Sequence, residues 1–273
     1  MRLAVFNHDR LVIVDGEGSR DVTDWAFATC RRRTEDPLIA FIYALEHDPV
    51  PKGERLSATA LRFGPPIKHP GKIIAAAANY LRHTQEMNPG HATPGDIREK
   101  GFFLKAPSSI IGPNDTILLP FKDRRTDHEA ELAVIMGKTG KNIPPNRALD
   151  YVFGYTCLLD ITVRGKEDRG LRKSFDTFTP LGPFITTKDE VSNPNNLKIS
   201  CRVNGEERQN DTTASMIMPV PELIAWISTV MTLHPGDVIS TGTPAGVSPL
   251  QPGDRIEVTI ERLGTFSVDV KTL

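Results

Sequence analysis

The sequence predicts a β-rich α+β fold, and three observations carry that reading. From Phe102 onward most patterned segments either alternate apolar and polar residues or run apolar for a few positions, as strands do. One later stretch, residues 221–233, carries a clear helical stripe through Leu223, Ile224, Ile227, Val230 and Met231. A Pro/Gly-rich joint at residues 63–71 separates a small N-terminal module, 1–70, from a larger domain, 71–273.

Residues 3–6 and 11–14 read as short strands around the turn residues Asn7, His8 and Asp9. Asp36 is placed to cap a helix that Pro37 begins, with Leu38, Ile39, Phe41, Ile42 and Leu45 on its apolar face. Beyond the joint, the apolar run 73–78 predicts a buried strand. Residues 80–100 differ in character. They open as a helix over 81–87, then turn polar, with Pro-Gly pairs at 89–90 and 94–95 and little to bury. A lid that orders over bound substrate is expected there. Strands follow at 116–119, 129–136 and 151–163, then a hairpin at Asn204-Gly205 and final strands at 254–260 and 266–270. The sequence contains no internal repeat and no low-complexity tract.

Composition narrows the function classes. A chain of 273 residues with 39% hydrophobic and 25% charged residues is ordinary for a globular protein. Its net charge of -1, with no dense Lys/Arg run interleaved with aromatics, argues against a nucleic-acid footprint. Cys30, Cys157 and Cys201 lie far apart and match no zinc spacing, which suits reduced thiols. The N-terminal apolar stretch is too short for a signal peptide, and nothing later has the length to span a bilayer. A cytoplasmic protein is expected.

Candidate chemistry begins at Asp127-His128-Glu129-Ala130-Glu131-Leu132. On a strand, Ala130, Leu132, Val134 and Met136 share one face and Glu129 and Glu131 the other. Two adjacent carboxylates repel unless water solvates them on an edge strand or a hard divalent cation lies between them. Asp160 interrupts an apolar run, so it marks either the run's exposed end or a third ligand. His83 and Glu86, three apart, share a helix face, where a carboxylate can orient an imidazole as a base; exposed pairs of this kind are also common. Lys173 lies in a segment too polar for core, and near a metal it can stabilise an oxyanion or enolate, although most lysines are simply solvated. The turn Thr241-Gly242-Thr243-Pro244-Ala245-Gly246 can present N–H and hydroxyl donors to a carboxylate, or serve only as a turn. It lacks the Gly-Lys-Ser/Thr of a phosphate loop.

In this order the segments resemble the fumarylacetoacetate hydrolase family, over residues 71–273. The resemblance includes Asn79-Tyr80 with His83 and Glu86, Phe103-Leu104-Lys105 with Ser108-Ser109, and Glu129-Ala130-Glu131-Leu132. It continues through Gly154-Tyr155 with Asp160, Lys173-Ser174-Phe175-Asp176-Thr177, and Val203-Asn204-Gly205 with Gln209. Pro235-Gly236-Asp237 and Thr241-Gly242-Thr243-Pro244 complete it. Two departures stand where substrate-facing loops are expected. Val163-Arg164-Gly165 replaces a frequent Ala-Arg-Asp, and Thr212-Thr213-Ala214-Ser215-Met216 replaces Asn-Thr-Ser-Asp-Met.

The resemblance implies a rolled mixed β-sheet catalytic domain and a homodimer. It implies Mg²⁺ or Mn²⁺, with Ca²⁺ as a further candidate, held by Glu129, Glu131 and Asp160. His83 oriented by Glu86 would activate water, and Lys173 would stabilise developing charge. Thr243, with Thr241, would bind the substrate carboxylate, and Arg164 and Gln209 are further candidate substrate contacts. The leading expectation is a C–C bond hydrolase of acylpyruvates or related 1,3-diketo acids. Oxaloacetate-type decarboxylases and isomerases or hydratases of 2-oxo and 2-hydroxydienoic acids use similar chemistry. A non-catalytic, metal-stabilised binding protein is the remaining alternative.

Overall fold

Alternation over residues 129–136 builds the centre of the molecule. A computed structural model describes residues 1–7, 9–15, 18–51, 55–56, 63–90 and 95–273, and it places Ala130–Met136 inside a 12-stranded mixed sheet. Its neighbours are Val152–Leu159 on one side and Val238–Ser240 on the other, both antiparallel. The sheet continues past Val238–Ser240 to Ile73–Ala76, which pairs parallel, and to Phe102–Lys105. In the other direction it runs through Thr179–Thr187 to Arg2–Phe6, Arg10–Asp15 and Gly18–Asp21. A second sheet of five strands orders Glu206–Thr212, Lys198–Val203, Arg255–Ile260, Gly264–Thr272 and Thr116–Leu119. Both sheets are open among the described residues.

The central strand is buried on both faces. Ala130, Leu132, Val134 and Met136 pack with Ile199, Cys201 and Val258 of the second sheet. Ala133 and Ile135 point the other way, against Leu3, Val5, Leu38 and Phe41. Glu129 and Glu131 share the parity of Ala133 and Ile135. One side of the strand is therefore apolar at its C-terminal end and acidic at its start.

The N-terminal strands join this sheet directly, because Arg2–Phe6 pairs antiparallel with Thr179–Thr187. Asp36 caps Pro37–Ala44 as expected, accepting from the backbone N–H of Leu38 and Ile39 at 2.9 and 3.1 Å. Its second oxygen accepts from the N–H of Lys68 and His69, which fastens the Pro/Gly-rich joint to the helix. Residues 1–70 thus share both sheet and core with the larger domain.

Several expected elements are cut short for identifiable reasons. The 73–78 strand ends at Ala76, since Ala78 takes φ 56° to turn the chain toward Tyr80. The 151–163 strand breaks after Leu159; the Asp160 N–H donates to Glu129 O at 2.8 Å, and Thr162–Val163 pairs instead with Thr126–Asp127. The 221–233 helix spans Val220–Val230, and Val230 is exposed rather than on the buried stripe. Within 80–100 the chain forms Leu81–Met87 and Ile97–Lys100, with Tyr80 and Ile97 fully buried, so the segment is better anchored than its polarity suggested. His8 of the N-terminal turn and residues 91–94 of the expected lid, including Pro94, lie outside the described residues.

Candidate functional site

Three carboxylates converge where strands begin and end. Glu129 and Glu131 stand at the start of the central strand, and Asp160 lies just past the end of its antiparallel neighbour. One oxygen from each falls within 4.8 Å of the others, and all three residues are buried. Buried like charges at this spacing require organised counter-charge. The strand is central rather than at an edge, so solvation does not meet that requirement.

Each carboxylate has one oxygen held from outside the cluster. Arg164 Nη2 donates to Glu129 Oε1 at 2.8 Å, and Lys105 Nζ donates to Asp160 Oδ1 at 2.5 Å. Ser240 Oγ and the Gly242 N–H donate to Glu131 Oε2. Lys173 sits at the centre, its ammonium 2.6 Å from Glu129 Oε2 and 2.5 Å from Asp160 Oδ2. It also lies 5.2 Å from the centroid of the Phe103 ring. This arrangement fixes the carboxylates through outer partners, as metal ligands commonly are.

The charges separate the two glutamates. Burial alone would raise the pKa of Glu129, but Lys173 and Arg164 outweigh it and hold the carboxyl far below the usual range. Burial, and then the neighbouring charge of Asp160, pushes Glu131 up to about 8. Lys173 is raised, because Asp160 and Glu129 overcome the lowering effect of burial. Lys105, fully enclosed, is lowered by burial despite Asp160.

A cavity of about 490 Å³ opens over this cluster, and His83 lines it together with Glu129, Glu131, Lys173, Arg164 and Thr243. His83 Nδ1 lies 3.3 Å from Glu86 Oε2, and the same carboxylate accepts from the Gly246 N–H at 3.0 and 3.2 Å. Burial opposes ionisation of Glu86, yet its bonds to His83 and Gly246 lower its pKa. An ionised Glu86 assigns the proton to Nδ1 and leaves Nε2 as the basic nitrogen.

The predicted contacts divide at this cavity. Glu129, Glu131, Asp160, Lys173, His83 and Glu86 form one connected site with Arg164. Gln209 does not line the cavity: it is fully buried, with Oε1 accepting from the Ala130 N–H and Nε2 donating to Thr243 Oγ1 and Pro244 O. Thr241 is also fully buried away from it, and its hydroxyl donates to Leu132 O. In this arrangement the polar side-chain atoms of both already have protein partners. Thr243 reaches the cavity, but its hydroxyl proton is given to Ala130 O. The 212–216 stretch lies away from the cavity, whereas Gly165 lines it.

Lys105 is the residue whose role could not be read from sequence. At the end of Phe102–Lys105 it resembles a strand-terminal lysine, and only folding brings it against Asp160 and Phe178 O. Asp127 likewise gains meaning in three dimensions. It accepts from Arg125 and Arg164 and so joins the outer cations to Glu129.

The family model described as fumarylacetoacetate (FAA) hydrolase C-terminal matches residues 72–271. A maleylpyruvate hydrolase of Aquipseudomonas alcaligenes is 42% identical over 287 residues, covering 100% of both chains. A maleylpyruvate hydrolase structure from Sphingobium sp. SYK-6, in complex with manganese (II) ion and pyruvate, has a TM-score of 0.85 at 39% identity. That match covers 100% of this chain and 99% of the other. The mitochondrial oxaloacetate tautomerase of Homo sapiens is 41% identical over 224 residues, 77% of this chain and 70% of that protein. The chain belongs to the fumarylacetoacetate hydrolase family.

Proposed function

We propose that this protein is a divalent-metal-dependent hydrolase that cleaves a C–C bond in acylpyruvates and related 1,3-diketo acids. One observation carries the reading: a carboxylate-oriented imidazole and a buried ammonium face the same cavity as a three-carboxylate cluster. Full-length similarity to a maleylpyruvate hydrolase supports it.

Glu129, Glu131 and Asp160 fit a hard cation such as Mg²⁺, Mn²⁺ or Ca²⁺, because one oxygen of each is fixed from outside the cluster. An ion on the inner oxygens of Glu129 and Asp160 would share or displace the Lys173 ammonium that they hold. The manganese in the Sphingobium structure favours Mn²⁺ within that set. When bound, such an ion supplies Lewis-acid polarisation of a chelating 2-oxo acid. The remaining chemistry belongs to side chains. His83 Nε2 takes a proton from water, and the hydroxide formed attacks the acyl carbonyl. The C–C bond then breaks, with its electron pair leaving in the enolate of pyruvate. Lys173 offsets the charge on that enolate oxygen, and the imidazolium returns its proton to carbon. Thr243 lines the cavity and contributes to binding the substrate carboxylate, although its hydroxyl proton is engaged by Ala130 O. We also propose that the protein is cytoplasmic and pairs as a homodimer, the pairing being what the family resemblance implies.

A second reading, enolisation or decarboxylation of oxaloacetate, is favoured by similarity to the oxaloacetate tautomerase. Decarboxylation needs the charge sink but no attacking water, whereas enolisation needs a base for the proton on carbon. His83→Ala should therefore lose acylpyruvate hydrolysis by about 10²–10⁴-fold, while calorimetric Mn²⁺ binding stays near the native level. Any oxaloacetate decarboxylation should fall less in His83→Ala than in Lys173→Ala. Hydrolysis that survives the loss of His83 would overturn the assignment of His83 as base.

A further inference from the structure

One buried imidazole lies outside the proposed reaction. His128 directly precedes Glu129 in the chain, and its side chain is fully buried. Nδ1 lies 3.2 Å from Gln209 Oε1, and Nε2 lies 2.9 Å from Ser248 Oγ. Full burial favours the neutral ring, which has one donor nitrogen and one acceptor.

The partners decide which nitrogen is which. Gln209 Oε1 also accepts from the Ala130 N–H at 3.0 Å, and Gln209 Nε2 donates to Pro244 O at 2.8 Å. A flipped amide would set donor against donor at Ala130 and acceptor against acceptor at Pro244, so its orientation is fixed. Nδ1 therefore carries the proton and donates to Oε1, and Nε2 accepts from the Ser248 hydroxyl. Cys201 Sγ, 3.6 Å from Nδ1, is only a weak partner beside that bond.

These two bonds reach both ends of one loop. At its start, Gln209 Nε2 donates to Thr243 Oγ1 at 2.7 Å as well as to Pro244 O; at its end stands Ser248. Between them Gly246 gives its N–H to Glu86, the carboxylate beside His83. The His128 N–H also reaches Ser248 O, at 3.4 Å, so the side chain supplies the shorter tie.

We propose that His128 is a positioning residue for the base: it clamps the 243–248 loop to the start of the central strand and so sets where His83 stands relative to the three carboxylates. The inference rests on His83 as the base. An apolar ring of similar size would fill the space but release the loop at both ends. The displacement would pass through Gly246 and Glu86 to the His83 ring. The carboxylates would keep their own partners, Arg164, Lys105, Ser240 and the Gly242 N–H. Loss of the clamp therefore acts on turnover and spares metal binding.

Three substitutions separate the two bonds. His128→Phe removes both, His128→Asn keeps a donor near the Nδ1 position, and His128→Gln keeps an acceptor near Nε2. In His128→Phe kcat should fall by about 10–100-fold, the usual effect of a misplaced catalytic group, with calorimetric Mn²⁺ affinity near the native level. The Asn and Gln variants should each recover part of kcat. Nitrogen NMR of the Mg²⁺-loaded protein gives a readout apart from turnover. His128 should show a protonated Nδ1 and an unprotonated Nε2, and His128→Phe should shift the His83 ring resonances. If His128→Phe does not fold, Ser248→Ala carries the test, because it breaks one bond at a half-buried residue and should reproduce part of the fall in kcat. Native kcat with unshifted His83 resonances in the folded variants, or kcat and Mn²⁺ affinity falling together, would overturn the proposal. Hydrolysis that survives His83→Ala, with the His83 shift still present in His128→Phe, would count against the base assignment alone.

Discussion

Glu131 is the carboxylate whose protonation links the site to pH. Its neighbours Glu129 and Asp160 both share the Lys173 ammonium, whereas Glu131 is held by Ser240 and a backbone N–H. Buried with less counter-charge, it keeps its proton up to about pH 8. A cation that uses this oxygen must displace the proton. Below pH 8 metal affinity should therefore rise with pH, by up to about tenfold per unit for one proton, and level off above it. Calorimetry at pH 7 in buffers of different ionisation enthalpy should report about one proton released per Mn²⁺ bound. Glu131→Ala should lose most of the affinity, and release of no proton by the native protein would refute this account.

Among the elements, Leu81–Met87 positions the base with little stability of its own. It has seven residues and no side-chain cap at its N-terminus, too short to persist alone. Asn79 bonds Met218 and Thr241, and Glu86 bonds the Gly246 N–H, so contacts on both sides hold it in place. Gly246 is required on two grounds. Its φ of 103° disfavours a side chain, and an added Cβ would meet Arg208 O at 1.9 Å. Gly246→Ala should displace this loop at a cost of about 1–3 kcal/mol. It should also lower kcat by tenfold or more, with Mn²⁺ affinity little changed. Unaltered kcat would show that the Glu86–Gly246 contact does not orient His83.

Over the whole molecule, the N-terminal segment is integral to the core that backs the site. Phe41 is fully buried, with edge contacts to Trp25 and Phe153 at centroid distances of 5.5 and 6.3 Å. Phe153 belongs to the strand Val152–Leu159, whose end leads to Asp160. Phe41→Ala should cost about 3–5 kcal/mol, and denaturant unfolding should remain one transition followed by both fluorescence and circular dichroism. A separate early transition would mean that residues 1–70 unfold independently.

The sequence by itself determined the periodic elements and the identity of the chemical groups. The alternation that sets Glu129 and Glu131 apart from Leu132 and Val134 is local, as are the Asp36 cap and the Asn204-Gly205 hairpin. The ordered set of motifs also identified the family. Tertiary structure decided which groups are spent and which are free. Gln209 and Thr241 carry the right atoms, yet folding engages them in the wall that supports the cavity. Lys105, Arg169 and Arg172 are ordinary cations in sequence, and only long-range packing gives Asp160 to the first and leaves the other two facing the cavity. The physical reason is range. Periodicity and capping act over a few residues, whereas the balance of charge and desolvation in a buried site depends on side chains that strand pairing brings together from distant parts of the chain.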